Sequence, residues 1–312
     1  MDKPRVFVTR KLALDPREVL GDDADIDQHD EEAVIARAGL LLRIRDADAL
    51  LPTLADRVDD ELLRAAPRLR IVANHAVGYD NVDVAACTAR RVWVTNTPGV
   101  LTDSTADLTW ALILAVARRL REGEQLLRSG KFAGWAPTML LGMELRGAVL
   151  GLVGQGRIAQ AVAKRAEGFG MRVLFNSRSS GVPLRELLRQ SDVVSLHCPL
   201  SHETRHLIGA GELSLMKPGA ILINAARGPI VDEAALVRAL EAGQLGGAGL
   251  DVFEEEPKVH PGLVGRDDVV ILPHLGSATV ETRRAMARIA LEQVLRVFAG
   301  QRPATAVNEV PA

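Results

Sequence analysis

The feature that most constrains this chain lies near its middle, where the β-like run Ala148 to Val153 passes directly into Gly154-Gln155-Gly156-Arg157-Ile158-Ala159 and then into helical spacing from Ile158 to Glu167. A strand that turns into a helix through G-x-G-x-x-G/A has few uses. Gly154 permits the tight turn, Gly156 lets backbone come close to a pyrophosphate, and Ala159 lets the helix lie against the strand. The helix N-terminal amides and dipole would then hold the anion. Glycines at a turn can serve turn geometry alone, but here strand, motif, helix and a second strand from Arg172 to Phe175 follow the order of a dinucleotide-binding unit.

The surrounding pattern repeats this grammar. Strand-like runs at Val193 to Leu196, Ala220 to Ile223 and Val269 to Leu272 alternate with helix-like Leu184 to Gln190 and Glu233 to Ala242, which predicts a parallel, doubly wound sheet. Upstream, Val6-Phe7-Val8, helix-like Glu31 to Ala38, Ile71-Val72-Ala73 and Val92-Trp93-Val94 predict a second α/β unit. Asn96-Thr97-Pro98-Gly99 interrupts it, and Thr102-Asp103-Ser104 offers caps for one long helix to about Arg128. A last helix, Val280 to Phe298, is long enough to return to the first unit. The expected architecture is two doubly wound α/β domains with a cleft between them.

Composition narrows the partners. With 38 basic and 40 acidic residues the formal charge is -2, so no overall field favours nucleic acid or an anionic membrane, and any anion must be held locally. The longest uncharged apolar run, Leu108 to Ala117, is about half the ~20 residues of a membrane span. Strand-like residues arrive at once behind charged ones at the N-terminus, so no signal segment is expected. Cys87 and Cys198 form no metal spacing, which points to the reducing cytoplasm with neither disulfide nor metal.

At the end of the second strand of the glycine-motif unit stands Asn176-Ser177-Arg178-Ser179, with no carboxylate for ribose hydroxyls. A hydroxyl followed by a guanidinium suits a 2′-phosphate, so NADPH is expected over NADH. A solvated loop arginine is the simpler alternative. Three further strand ends carry polar groups: Asn224-Ala225-Ala226-Arg227-Gly228, Asp251-Val252-Phe253-Glu254-Glu255-Glu256-Pro257 and Pro273-His274-Leu275-Gly276. Singly each has a dull explanation in strand capping, a solvated loop or a turn. Together they offer a carboxylate clamp, an acid-base group and an orienting carboxylate, the set needed to reduce a 2-oxo acid.

These segments, with Val77-Gly78-Tyr79-Asp80, Val94 to Asp103, Cys198-Pro199-Leu200, Met216 to Glu233 and Pro273 to Thr279, make nearly the whole chain resemble the D-isomer-specific 2-hydroxyacid dehydrogenases, most of all their glyoxylate/hydroxypyruvate reductases. The resemblance implies a flavodoxin-like substrate domain from residues 1–98 and 285–312, and a Rossmann cofactor domain from 99–284. It places the catalytic set on Arg227, Glu256 and His274, with Glu256 preferred to Glu254 or Glu255. Arg227 would bind the substrate carboxylate, His274 would donate a proton and Glu256 would orient the imidazole. Val77 and Gly78 amides would meet the same carboxylate. Thr105, Gly154 to Ile158, Cys198-Pro199, Ala225-Ala226, Asp251 and Gly276 would line the cofactor, and Trp135 would reach a neighbouring subunit of a homodimer. Two features depart from the family: Ala159 replaces the commoner third glycine, and the stretch from Ser179 to Leu184 is shorter than usual. The implied reaction is NADPH-dependent reduction of glyoxylate and hydroxypyruvate. Reduction of 2-ketogluconate or an aryl pyruvate, or a dinucleotide-sensing corepressor scaffold, are the alternatives.

Overall fold

The computed structural model describes residues 3–31 and 33–310. The chain divides into two compact units, one formed by residues up to Leu101 with those from Ala278 onward, the other running from Thr102 to Ser277. The expected borders at 98 and 285 therefore move. Thr279 caps the final helix, Val280–Phe298, by accepting the Thr282 amide, so a border at 285 would cut a helix that packs as one piece.

The first unit is a parallel sheet in the order β2-β1-β3-β4-β5, built from β1 (Arg5–Val8), β2 (Asp25–Gln28), β3 (Ala49–Leu51), β4 (Ile71–Ala73) and β5 (Trp93–Thr95). This is the flavodoxin-like order. Alternation along the strands divides the core. Phe7, Leu50, Val72 and Val94 face Leu40 and Leu62, whereas Val6, Val8, Ile71 and Ala73 face Ala287, Leu291 and Val294 of the last helix. β2 and β3 have weak sequence signals because one is polar and the other, Ala49-Leu50-Leu51, has no β-branched residue. The helix expected over Glu31 to Ala38 lies instead at Arg37–Arg43. Ala36 is still extended and Val34 is exposed, while Leu40 supplies the buried anchor; Glu32 is outside the described residues.

The second unit holds β6 (Val149–Val153), β7 (Arg172–Asn176), β8 (Val193–Leu196), β9 (Ala220–Asn224), β10 (Leu245–Leu250) and β11 (Val269–Ile271), all parallel, in the order β11-β10-β9-β8-β6-β7. β6, β8 and β9 are buried throughout, as strands covered on both faces must be. β10 was missed because Gly246, Gly247 and Gly249 read as loop. Strand order reverses at β6, where the chain goes out to β7 and returns on the other side to β8. That is the topological switch point at which open α/β sheets bind ligands.

The long helix expected from Thr102 to about Arg128 is two helices, Thr102–Ala117 and Leu120–Arg128, with Arg119 between them at φ 53. The Met143 amide takes the Ala117 carbonyl at 2.8 Å, which removes that carbonyl from a continuing helical ladder. The first helix is anchored by Trp110, whose indole N–H donates to the Val162 carbonyl at 3.0 Å and whose ring stacks on Phe169 at 4.2 Å. Replacing Trp110 by Ala removes a buried aromatic with its ring stacking and leaves a cavity, so urea unfolding should show a loss of about 3–5 kcal/mol.

Candidate active site

The glycine turn is built by steric demand. Gly154 has φ 110, and a Cβ there would lie 2.6 Å from the His197 carbonyl and 2.9 Å from the Cys198 amide, so only glycine lets β6 and β8 end side by side. Gly156, with Gln155 beside it, precedes the helix Arg157–Gly168 as its N-cap without a side-chain cap bond, and a Cβ at Gly156 would enter open space. The amides of Arg157 and Ile158 thus begin a helix whose N-terminal end has room for an anion. Ala159 is fully buried, which is where the family's usual glycine is dispensable. This turn fits the pyrophosphate of a dinucleotide.

Ser177, Arg178 and Ser179 follow β7. Ser177 donates to the Ser180 carbonyl at 3.0 Å, Ser180 reaches the Gln155 side chain, and Arg178 pairs with Glu203 at 3.1 Å with both side chains exposed. Glu203, a competitor for Arg178, has no signal in the local sequence. Cys198, before Pro199, is a half-buried thiol that burial pushes up to about 11. Thr105 is buried and donates to the Gly276 carbonyl at 3.1 Å.

The chemical groups come from the carboxyl ends of β9, β10 and β11. Buried Asn224 ends β9; its amide donates to the Arg227 carbonyl at 2.9 Å and its oxygen accepts the Ala226 amide at 3.1 Å, shaping the Ala225-Ala226 turn that delivers half-buried Arg227. Asn224 was not assigned this role from sequence. Gly228 follows because a Cβ there would sit 1.8 Å from the Phe253 carbonyl oxygen. Beyond β10, Asp251 accepts the Leu275 amide at 2.6 Å and the Gly276 amide at 2.8 Å, and its backbone carbonyl accepts the His274 amide at 2.8 Å. Burial pushes the Asp251 carboxyl above its ordinary value despite those amides and the nearby His274.

His274, at φ 56, places Nδ1 3.0 Å from Glu256 Oε2, and Glu256 Oε1 accepts the Phe253 amide at 3.0 Å. Partial burial opposes ionisation of Glu256. The hydrogen bond and charge of His274, the Phe253 amide and the Arg227 guanidinium outweigh it and hold the carboxyl below its usual value. Of the neighbouring glutamates, Glu254 turns to His206 instead, and Glu255 opens the tight turn to Lys258. With Nδ1 held by a carboxylate, Nε2 is the ring nitrogen left for a reacting oxygen.

In the first unit, β4 leads to a turn whose carbonyls are held one by one: Ala76 by the Thr97 amide at 2.9 Å, Val77 by the Asn96 side chain at 2.8 Å and Gly78 by the Asn74 side chain at 2.8 Å. This fixes the peptide planes of Val77 and Gly78. Trp135 is 79% exposed in an irregular segment. Among the described residues no group of three or more His, Cys, Asp or Glu side chains could hold a metal, and no helix is long and apolar enough to cross a membrane.

A doubly wound unit with a glycine turn at its switch point and an Arg, Glu, His set along the same strand ends defines a dinucleotide-dependent oxidoreductase. Residues 110–276 match the family model for the NAD binding domain of D-isomer specific 2-hydroxyacid dehydrogenases. The chain is 49% identical to the glyoxylate reductase of Aeropyrum pernix, over 99% of this chain and 97% of that protein. A crystal structure from Thermus thermophilus matches with a TM-score of 0.93 at 46% identity, over 97% of this chain and 100% of that one. The NADPH-dependent glyoxylate/hydroxypyruvate reductase of Sinorhizobium meliloti, solved with NADP and malonate, matches with a TM-score of 0.86 at 36% identity, over 99% and 98% of the two chains. The chain belongs to the D-isomer specific 2-hydroxyacid dehydrogenases, and it is an oxidoreductase that works with a nicotinamide dinucleotide.

The turn after β4 also contains His75, only 8% exposed, whose pKa is pushed down to about 4 by burial and, secondarily, by the charge of Arg283. The folded protein therefore holds it neutral, while the unfolded chain takes up a proton near pH 6.5. Below that pH the unfolded state binds more protons, so stability is lost progressively from about pH 6.5 to about 4, by a total on the order of 3 kcal/mol. Thermal unfolding between pH 7 and 4.5 should show a shallower decline in His75→Phe than in the parent protein.

Proposed function

We propose that this chain reduces glyoxylate and hydroxypyruvate, giving glycolate and D-glycerate, with NADPH as the preferred reductant. The observation that carries the reading is the 3.0 Å contact of His274 Nδ1 with Glu256, set in the same unit as the glycine turn and within electrostatic reach of Arg227. When bound, the reduced nicotinamide supplies a hydride to C2 of the 2-oxo acid. Arg227 holds the substrate carboxylate with its planar, permanently charged fork and polarises the neighbouring carbonyl. His274 delivers a proton from Nε2 to the carbonyl oxygen. Glu256 fixes the ring through Nδ1. The amides of Val77 and Gly78 are assigned to the same carboxylate from the family pattern, as are Asp251, Thr105 and the segments after β8 and β9 to the cofactor.

His274→Ala should lower kcat by about 10²- to 10⁴-fold while leaving the dinucleotide dissociation constant, read by nicotinamide fluorescence, within about threefold. An unchanged turnover number would remove His274 from the mechanism.

The cofactor preference rests on Ser177 and Arg178 at the end of β7, where no acid stands. Because the Arg178–Glu203 pair is exposed, it is weak and screened by solvent, so a 2′-phosphate can take over the guanidinium. Steady-state kcat/KM with glyoxylate and with hydroxypyruvate should be higher with NADPH than with NADH, and Arg178→Ala should narrow the difference. A preference for NADH in the parent protein would overturn the assignment.

A homodimer fits the apolar groups exposed along one stretch, Leu120, Leu127, Phe132, Trp135 and Leu141, as the surface a second copy would cover. Two free cysteines, one buried and one half-buried, accord with a cytoplasmic setting.

A further inference from the structure

Glu233 opens the helix Glu233–Glu241 and is only 6% exposed, an unusual place for a carboxylate. Its own helix does not need it, because Asp232 already caps the first turn by accepting the Ala235 amide at 2.8 Å. Burial, with the nearby Glu254 charge adding to it, pushes the Glu233 carboxyl up. An acid kept out of water at that cost must be satisfied by donors. They come from a different segment. Glu233 Oε1 accepts the Glu254 amide at 2.6 Å, while the backbone of His260 also favours its charged form.

The Glu254 amide opens one loop, residues 254–260, which carries Glu256. Within it the chain reverses tightly, the Lys258 amide reaching the Glu255 carbonyl at 2.9 Å. The contact is reciprocal at the near end, where the Glu254 side chain, itself against His206, accepts the Glu233 amide at 3.4 Å. On the side before the loop, Gly228 lies against the Phe253 carbonyl, so the strand end cannot shift inward.

We propose that Glu233 is a positioning residue for the acid pair: by accepting the Glu254 amide and giving its own amide to the Glu254 carboxylate it pins the start of the 254–260 loop and so sets where Glu256 meets His274. This rests on the reading that Glu256 and His274 act together in proton delivery. The role differs from general support of the fold, because the carboxylate has no part in capping its own helix and its 2.6 Å hydrogen bond goes to the first residue of this one loop.

The test compares three variants with NADPH and glyoxylate. Glu233→Met fills the same space but accepts no hydrogen bond. It should lower kcat about 10- to 100-fold, the scale of a misplaced catalytic group, with the glyoxylate KM and the NADPH dissociation constant changed less than about threefold. Hydrogen exchange should show the amide of Glu254 losing protection. Glu233→Gln keeps an acceptor oxygen at the same reach and should retain kcat within about threefold. Parent-like turnover in Glu233→Met, or equal losses in Met and Gln, would overturn the proposal. If Glu233→Met does not fold, Glu233→Asp takes its place: one methylene shorter, it should show the same split between kcat and KM, and parent-like turnover would again overturn the role. Glu256→Gln is measured in parallel. Parent-like turnover in that variant would sink the acid-pair reading itself, whereas a slow Glu256→Gln beside a fast Glu233→Met would sink the positioning role alone.

Discussion

A carboxylate buried at the end of a parallel strand must find donors or give up its charge, and Asp251 finds them in the amides of Leu275 and Gly276 at 2.6 and 2.8 Å. Much of the site hangs on that tie. It draws the segment after β11 back over the end of β10, and the Asp251 carbonyl takes the His274 amide as well, so His274 is held in a left-handed conformation that a free loop would seldom adopt. Thr105 completes the attachment by holding the Gly276 carbonyl from a neighbouring helix. The imidazole is thus oriented twice, by its backbone through Asp251 and by its ring through Glu256.

The sheet explains why such ties are available. All six strands of the second unit run in one direction, so their carboxyl ends form a single edge on which every connection begins. Asn224, Asp251 and the residues after β11 occupy equivalent places on β9, β10 and β11. Each contributes a polar group that stitches the next few residues before the chain departs. Charge is managed locally in the same way: Glu256 is kept ionised by His274 and Arg227, while Asp251, a few residues away and deeper, is pushed toward its neutral form. Two carboxylates on one loop thus differ in character because Glu256 has the direct His274 hydrogen bond and the Arg227 charge, whereas burial dominates at Asp251.

Elements with strong local signals were legible in the sequence. Buried β-branched runs such as Val149–Val153 and Val193–Leu196, and the glycine turn whose residues are dictated by close backbone approach, carry their structure in a few adjacent positions. Signals were weak where partners from elsewhere decide the outcome. β10 is a strand because β9 and β11 pair with it, not because Gly246, Gly247 and Gly249 favour extension. The helix break at Arg119 depends on an amide from Met143. The same applies within the candidate site. Arg227, Glu256 and His274 could be named from motifs, whereas Asn224, Glu203 and Glu233 act through contacts that only the crossover connections bring about.

The short path after β7 has a consequence for solubility. β7 is the last strand of its sheet, and a terminal strand offers unpaired amides and carbonyls to any passing chain. Here the chain reverses within a few residues, so that the Val182 amide caps the Phe175 carbonyl at 2.8 Å, Asn176 bridges to Gly181, and the Asn176 side chain takes the Val182 carbonyl at 2.9 Å. A Cβ at Gly181 would come within 2.1 Å of the Phe175 oxygen, so this reversal requires glycine. The brevity of this segment therefore folds a self-made hem over the exposed border of the sheet, closing part of it to edge-to-edge growth between molecules.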